Sequence, residues 1–177
     1  MPGEYYVSWA PSEITTLLGS CVAACLWDSK RKIGGMNHFM LPDSPAEAHG
    51  LGDKTKSMRY GLYAMEVLVN DLLAMGAKRE HLQAKVFGGS NITGALNTRH
   101  IGRRNAEFVL EFLHKDKIKV VASDLAGPHS RRIRFNTQNS AVRVERVASA
   151  NSAALQQETR YSEKINKDPV NGDIVFF

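Results

Sequence analysis

Thr15-Thr16-Leu17-Leu18-Gly19-Ser20-Cys21-Val22-Ala23-Ala24-Cys25-Leu26-Trp27, followed by Ile33-Gly34-Gly35-Met36-Asn37-His38-Phe39-Met40-Leu41-Pro42, decides how this chain folds. Residues 13–27 read as an extended, β-branched and apolar stretch broken by Gly19-Ser20. Asp28-Ser29-Lys30-Arg31-Lys32 is a polar turn, and residues 33–40 form a second extended stretch stopped by Pro42. The two stretches are expected to lie as neighbouring strands. One cysteine then follows a Gly-Ser turn, and one histidine sits near the end of the next strand. A thiol and an imidazole that meet in this way are the minimum kit for a cysteine nucleophile.

Working outward, residues 43–56 are polar and carry Pro, Gly and Asp, which predicts a surface loop. Ser57 is expected to start a helix. Met58, Leu62, Met65, Leu68, Val69, Leu72 and Leu73 follow helical spacing, and Gly76 supplies the stop. The methionines of that face read as core filling. Gln83–Phe87 predicts a strand entering Gly88-Gly89-Ser90. A second helix is expected over about 102–114, with Phe108, Val109, Phe112 and Leu113 inward. Strand signals return at 118–122. Ile133 and Phe135, then Val142, Val144 and Val147, alternate across Thr137-Gln138-Asn139-Ser140, a hairpin pattern. The tail from about 150 is polar with a short helix, and Gly172–Phe177 is expected to dock on the body. Helices interleaved with strands and hairpins predict an α/β chain of the mixed α+β kind, a mixed sheet with helices packed on it. At 177 residues it is expected to be a single domain over 1–177, its tail from about 150 packed on or extending from the body.

Apolar residues at 43% and charged ones at 23% are ordinary for a globular protein. No apolar run suits a membrane span, and Met1-Pro2-Gly3-Glu4-Tyr5-Tyr6 lacks the marks of a signal peptide, so a cytoplasmic location without membrane insertion is expected. Cys21 and Cys25 on one extended strand would stand roughly 13 Å apart. A disulfide needs less than about 7 Å, so two free thiols are expected. There are 23 Lys+Arg against 18 Asp+Glu, a net charge of +5. The charges are spread out, with small clusters at Arg103-Arg104 and Arg131-Arg132-Ile133-Arg134. No zinc-finger, recognition-helix or aromatic RNA-binding signature accompanies them, so no nucleic-acid partner is expected.

Most free cysteines are small buried apolar residues, and Cys25, inside Val22-Ala23-Ala24-Cys25-Leu26, reads as one. Cys21 differs by its context. Gly19 and Ser20 permit a sharp turn that projects the next residue into a cleft, and backbone N–H groups there can stabilise a thiolate or an oxyanion. His38 among Met36, Phe39 and Met40 is either a core histidine or a general base. A third group must orient its ring, and Thr15 and Thr16 are both available. A metal site would need more than C-x3-C and scattered histidines, so none is expected. Gly88-Gly89-Ser90-Asn91 lacks the marks of a P-loop. It reads as a tight turn near the cleft, with Ser90 and Asn91 placed to donate hydrogen bonds to a substrate amide. Asn105 is a helix cap or a polar contact.

Leu18-Gly19-Ser20-Cys21-Val22-Ala23, Gly34–Pro42, Lys85–Ser90, Ile101-Gly102-Arg103-Arg104-Asn105, Asp124–Gly127 and Gly172-Asp173-Ile174 together resemble the CheD family of chemoreceptor glutamine deamidases, over nearly the whole chain and in the family's order. The resemblance implies a layered sandwich and a Cys–His–Thr site: Cys21 as nucleophile, His38 as base, and Thr15, six residues before the cysteine, as support. It implies conversion of glutamine side chains of methyl-accepting chemotaxis receptors to glutamate, with no cofactor, and in some species binding to a CheC-like phosphatase. A non-catalytic adaptor for such a phosphatase is the alternative. On the deamidase reading the basic clusters are expected to guide the protein onto an acidic receptor substrate.

Overall fold

The computed structural model describes residues 2–42, 54–91, 96–147, 156, 159–161 and 163. In chain order these form β1 (Tyr5–Ser8), β2 (Glu13–Leu18), β3 (Val22–Asp28), β4 (Ile33–Asn37), α1 (Lys54–Ala74), a 3-10 turn (Arg79–His81), β5 (Leu82–Gly88), α2 (Leu96–Lys115), β6 (Lys119–Leu125), β7 (Ser130–Asn136) and β8 (Val142–Val147). One sheet has five strands in the order β1-β4-β3-β5-β6, and the other has three in the order β2-β7-β8. Every pairing is antiparallel except β5 with β6, which is parallel and spanned by α2. A parallel pair cannot be joined by a tight turn, so the crossover helix is required. The expected mixed, single-domain α+β architecture is what the chain adopts.

β3 explains the layering. Its residues are apolar without interruption because both of its faces are covered. Val22, Ala24 and Leu26 join Met65, Leu68, Val69 and Leu72 of α1 and Val109, Phe112 and Leu113 of α2 in one core. Cys21, just before the strand, joins Ala23 and Cys25 on the opposite face, where they meet Leu18 of β2 and Ile133 and Phe135 of β7 in a second core. Helices, large sheet and small sheet are therefore stacked in three layers.

The stretch 13–27 differs from expectation in one respect. Gly19-Ser20 is not an irregularity within one strand but a change of sheet. β2 pairs with β7, Glu13 opposite Asn136 and Leu18 opposite Arg131, while β3 pairs with β4 and β5. β1, which carries no strong strand signal, completes the edge beside β4.

α1 begins at Lys54, so residues 54–56, expected as loop, are helical. Residues 43–53 lie outside the described residues. Met58, expected inward, is 50% exposed, whereas Met65, Leu68, Val69 and Leu72 are buried as expected. Gly76, with φ of 100°, ends the helix region. α2 starts six residues earlier than expected, at Leu96. The hairpin of β7 and β8 matches its alternation, Ile133 standing opposite Val144. Of the tail, Tyr161 packs against the second core. The segment 172–177, expected to dock, lies outside the described residues.

Candidate active site

The β3–β4 pairing brings Cys21 and His38 together. Cys25 faces Met36, and the bridge between Val22 and Phe39 continues the same register. That register puts His38 opposite Ala23 and makes Cys21 its diagonal neighbour on the same face, the face that carries Met36 and Met40 into the second core. Diagonal neighbours across an antiparallel pair stand about 7–8 Å apart, within reach of longer side chains. Between the two bridges Asn37 takes over from the ladder. Ala24 N–H donates to its Oδ1 at 3.0 Å, and its Nδ2 donates to Ala64 O on α1 at 2.9 Å. Asn37 thereby fixes the strand that carries His38 against the helix layer.

The third group arrives from the other sheet. Thr16 Oγ1 lies 2.8 Å from His38 Nδ1. Thr15, the residue implied by resemblance, is exposed, and Thr16 is buried. Successive residues of a strand face opposite ways, so only one threonine of the pair can point between the sheets. The ring-supporting hydroxyl is therefore Thr16, a correction to the expectation of Thr15.

His38 is 3% exposed and Cys21 is 0% exposed. Burial holds the imidazole pKa down at about 3, so the ring is neutral near neutral pH, the form able to take a proton. Its Nε2 is buried and makes no hydrogen bond among the described residues. Both cysteines are free, and burial pushes the Cys25 thiol well up, as suits an inert core residue. Tyr60 of α1 also borders the site. Its phenol is pushed up to about 12, first by burial and then by the charge of Cys21.

Three successive carbonyls, those of Gly19, Ser20 and Cys21, are held by donors from elsewhere in the protein. Gly19 O accepts from Ser90 N–H at 2.7 Å, and Cys21 O from Gly89 N–H at 2.8 Å. Between them, Ser20 O accepts from Asn105 Nδ2 at 2.8 Å. Asn105 Oδ1 accepts from Leu41 N–H, also at 2.8 Å. Of the two readings Asn105 is the polar contact and not the cap, a buried tie between the Cys21 loop and the segment that follows His38.

Ser90, expected to contact substrate, is completely buried. Its hydroxyl donates to His129 O at 2.7 Å and accepts from Arg131 Nη1. It supports the turn instead of facing a ligand. Asn91 is half-buried, and its N–H donates to Gly127 O at 2.9 Å. Arg131, expected in a surface cluster, is 4% exposed and paired with Asp124 at 2.8 Å. It has no part in a docking surface. Its neighbours Arg132 and Arg134 are the exposed members, each beside a carboxylate, Glu145 at 3.4 Å and Glu13 at 3.9 Å. Among the described residues no three His, Cys, Asp or Glu side chains converge as a metal set. Among them, too, no helix is long and apolar enough to cross a membrane.

Thr16→Val should lower turnover about tenfold to a hundredfold, the effect of about 1–3 kcal/mol for a lost buried hydrogen bond. Thr15→Val should leave turnover unchanged. Steady-state rates of the two variants on one substrate decide the point, and equal losses would contradict the assignment.

The chain is 46% identical over 182 residues to a probable chemoreceptor glutamine deamidase CheD of Thiobacillus denitrificans, covering 100% of this chain and 87% of that protein. It is 43% identical over 178 residues to a probable chemoreceptor glutamine deamidase CheD 1 of Shewanella oneidensis, covering 100% and 85%. A further relative, from Cupriavidus pinatubonensis and named in the same way as the first, is 48% identical over 169 residues, covering 88% and 76%. Residues 40–146, which include Asn105 and Arg131, match the family described as CheD chemotactic sensory transduction. With a family match over more than half its length and relatives of this identity across all of it, the chain belongs to the CheD family.

Proposed function

We propose that this chain is a protein-glutamine deamidase that converts glutamine side chains of methyl-accepting chemotaxis receptors to glutamate in the cytoplasm. The observation that carries the reading is the neutral, buried His38, held at Nδ1 by Thr16 on the same face as the Cys21 thiol. The names of the relatives supply the substrate class.

With Nδ1–H donating to Thr16 Oγ1, Nε2 is the basic nitrogen. It takes the Cys21 proton as the thiolate attacks the side-chain carbonyl carbon of glutamine. An imidazole so reluctant to charge accepts that proton only as the negative charge forms beside it, so proton transfer and attack are coupled. Backbone N–H groups of the nucleophile loop bind the oxyanion. His38 returns the proton to the departing nitrogen, ammonia leaves, and a thioester to Cys21 remains. Water, losing a proton to His38, then cleaves the thioester. Glutamate and the free thiol result, and neither a metal nor an organic cofactor is called for. Because Cys21 is fully enclosed, the substrate side chain reaches it only when neighbouring side chains yield.

The test is incubation of receptor cytoplasmic fragments with the protein, followed by peptide mapping and ammonia assay. Glutamate at discrete former glutamine positions, matched by equimolar ammonia, is the expected result. No conversion on any receptor of the same cell, together with tight binding to a CheC-like phosphatase, would favour the adaptor role.

A further inference from the structure

We propose that Asn105, and Arg131 acting through Ser90, are positioning residues of the nucleophile loop, fixing the peptide planes that present the Cys21 thiol to His38. The proposal rests on the deamidase reading only for what turnover means.

The planes are pinned at three consecutive carbonyls, Gly19, Ser20 and Cys21, by donors from two different elements, the turn after β5 and helix α2. A peptide unit is planar and trans, so holding one carbonyl turns the next N–H to the opposite side. The effect is visible at the last of the three. Cys21 O is drawn to Gly89, and Val22 N–H points the other way, donating to Phe39 O at 3.0 Å, next to His38. Asn105 adds a second restraint. One amide group holds Ser20 O and Leu41 N–H together, fixing the distance between the Cys21 loop and the end of the His38 strand.

Arg131 holds the turn itself. Its guanidinium donates from Nη1 to Ser90 Oγ and to His129 O at 3.2 Å. From Nη2 it donates to Asp124 Oδ1 at 2.8 Å and Ala126 O at 2.5 Å. It thus locks the end of β6 and the β6–β7 loop to Ser90, whose own N–H holds Gly19 O. Lysine cannot reproduce this fork, because it offers a point charge on a flexible stem. Burying a guanidinium is costly even when it is paired, and Nε of Arg131 makes no hydrogen bond among the described residues. An apolar side chain would fill that space at less cost, so the geometry points to orientation of the loop and not to bulk stability.

The experiment uses the full chain with Asn105→Asp, Ser90→Ala and Arg131→Lys. Asn105→Asp keeps an acceptor for Leu41 N–H and sets a carboxylate oxygen against Ser20 O. Ser90→Ala is the mildest variant, keeping the N–H to Gly19 O and losing only the hydroxyl link, so it decides the matter if either of the others fails to fold. Three quantities are read: alkylation of Cys21 by iodoacetamide across a pH series, mapped by peptide; kcat and KM on a receptor fragment; and thermal melting. For each folded variant kcat should fall about tenfold or more with KM within about twofold, and the Cys21 alkylation profile should move to higher pH. Folded variants with kcat and alkylation profile both unchanged would overturn the proposal, and a loss that follows melting temperature alone would do the same. If the unaltered protein converts no receptor glutamine but the alkylation profile still moves in the variants, positioning stands and the deamidase reading falls.

Discussion

Gly88→Ala should abolish turnover and remove about 3 kcal/mol or more of stability. Gly88 sits at φ of 110°. A side chain held in that region carries about 1–3 kcal/mol of strain before any contact is counted. Contact makes it worse, because an added Cβ would stand 2.1 Å from Cys21 O and 3.2 Å from Val22 Cα. Those are backbone atoms in a paired strand, Val22 being the β3 partner of Gly88. No flexible side-chain end is there to yield. Either the end of β5 or the Cys21 loop must move, and both movements break the bond from Gly89 N–H to Cys21 O. Gly76 is the control. Its φ is 100°, yet an added Cβ would meet only Arg31 Nη1, at 4.0 Å. Gly76→Ala should therefore show backbone strain alone and keep its activity. Urea unfolding of the two variants beside the parent measures the difference. Equal, small losses would mean that β5 and the Cys21 loop do not meet as described.

His38→Gln should lower kcat by about 10²- to 10⁴-fold, the usual worth of a positioned general base. The same substitution has a second signature in stability. The unfolded chain takes up a proton at this histidine below about pH 6.5. The folded chain, with its pKa held at about 3 by burial, does not until far lower. The unfolded state therefore binds more protons throughout that interval. The contribution of neutral His38 is complete above pH 6.5 and is lost as pH falls toward 3, with a slope of up to about 1.4 kcal/mol per pH unit. The glutamine variant lacks this slope. The carboxyl groups of Asp28 and Asp124 are also held below their ordinary range. Burial pushes Asp28 up, but the N–H groups of Lys78, Arg31 and Lys30 together outweigh it, while Asp124 is lowered chiefly by Arg131. Both are present in parent and variant, so the difference between the two proteins isolates His38. Urea midpoints at several pH values should converge as the solution is acidified from pH 6.5. A pH-independent gap would show that the imidazole is not buried in its neutral form.

Much of this was legible before the structure, because periodicity reports burial directly. Met65, Leu68, Val69 and Leu72 fall on one helical face, and that face is the core of α1. Cys21 and His38 were marked by their turn and strand contexts, and the register places them diagonally on one face. What the local sequence could not carry is the choice of partner. β2 pairs with β7 more than a hundred residues away, and nothing within 13–27 announces that Gly19-Ser20 changes sheet. Alternation also carries the inward position of two polar residues. Ile133 and Phe135 alternate in the hairpin pattern, and Arg131 lies two residues before Ile133, on the same face. It is buried with them, while Arg132 and Arg134 face out. In the same way Thr16 alternates with Leu18, which is buried, and Thr15 does not. Asn105 stands three and four residues before Phe108 and Val109, on the inward face of α2, where a buried amide needs partners and finds them in Ser20 and Leu41. The hydrogen bond from Ser90 N–H to Gly19 O had no such signal, because a turn reveals its partners only when the distant loop is in place.

Of two buried thiols four residues apart, Cys21 is the one proposed to carry the chemistry. Receptor fragments treated with Cys21→Ala and with Cys25→Ala, and mapped for glutamate at former glutamine positions, test this assignment most directly. No conversion above background is expected with Cys21→Ala, and near-parental conversion with Cys25→Ala, which removes a thiol buried in the second core. Retained conversion by a folded Cys21→Ala protein, or its loss only when Cys25 is replaced, would contradict it.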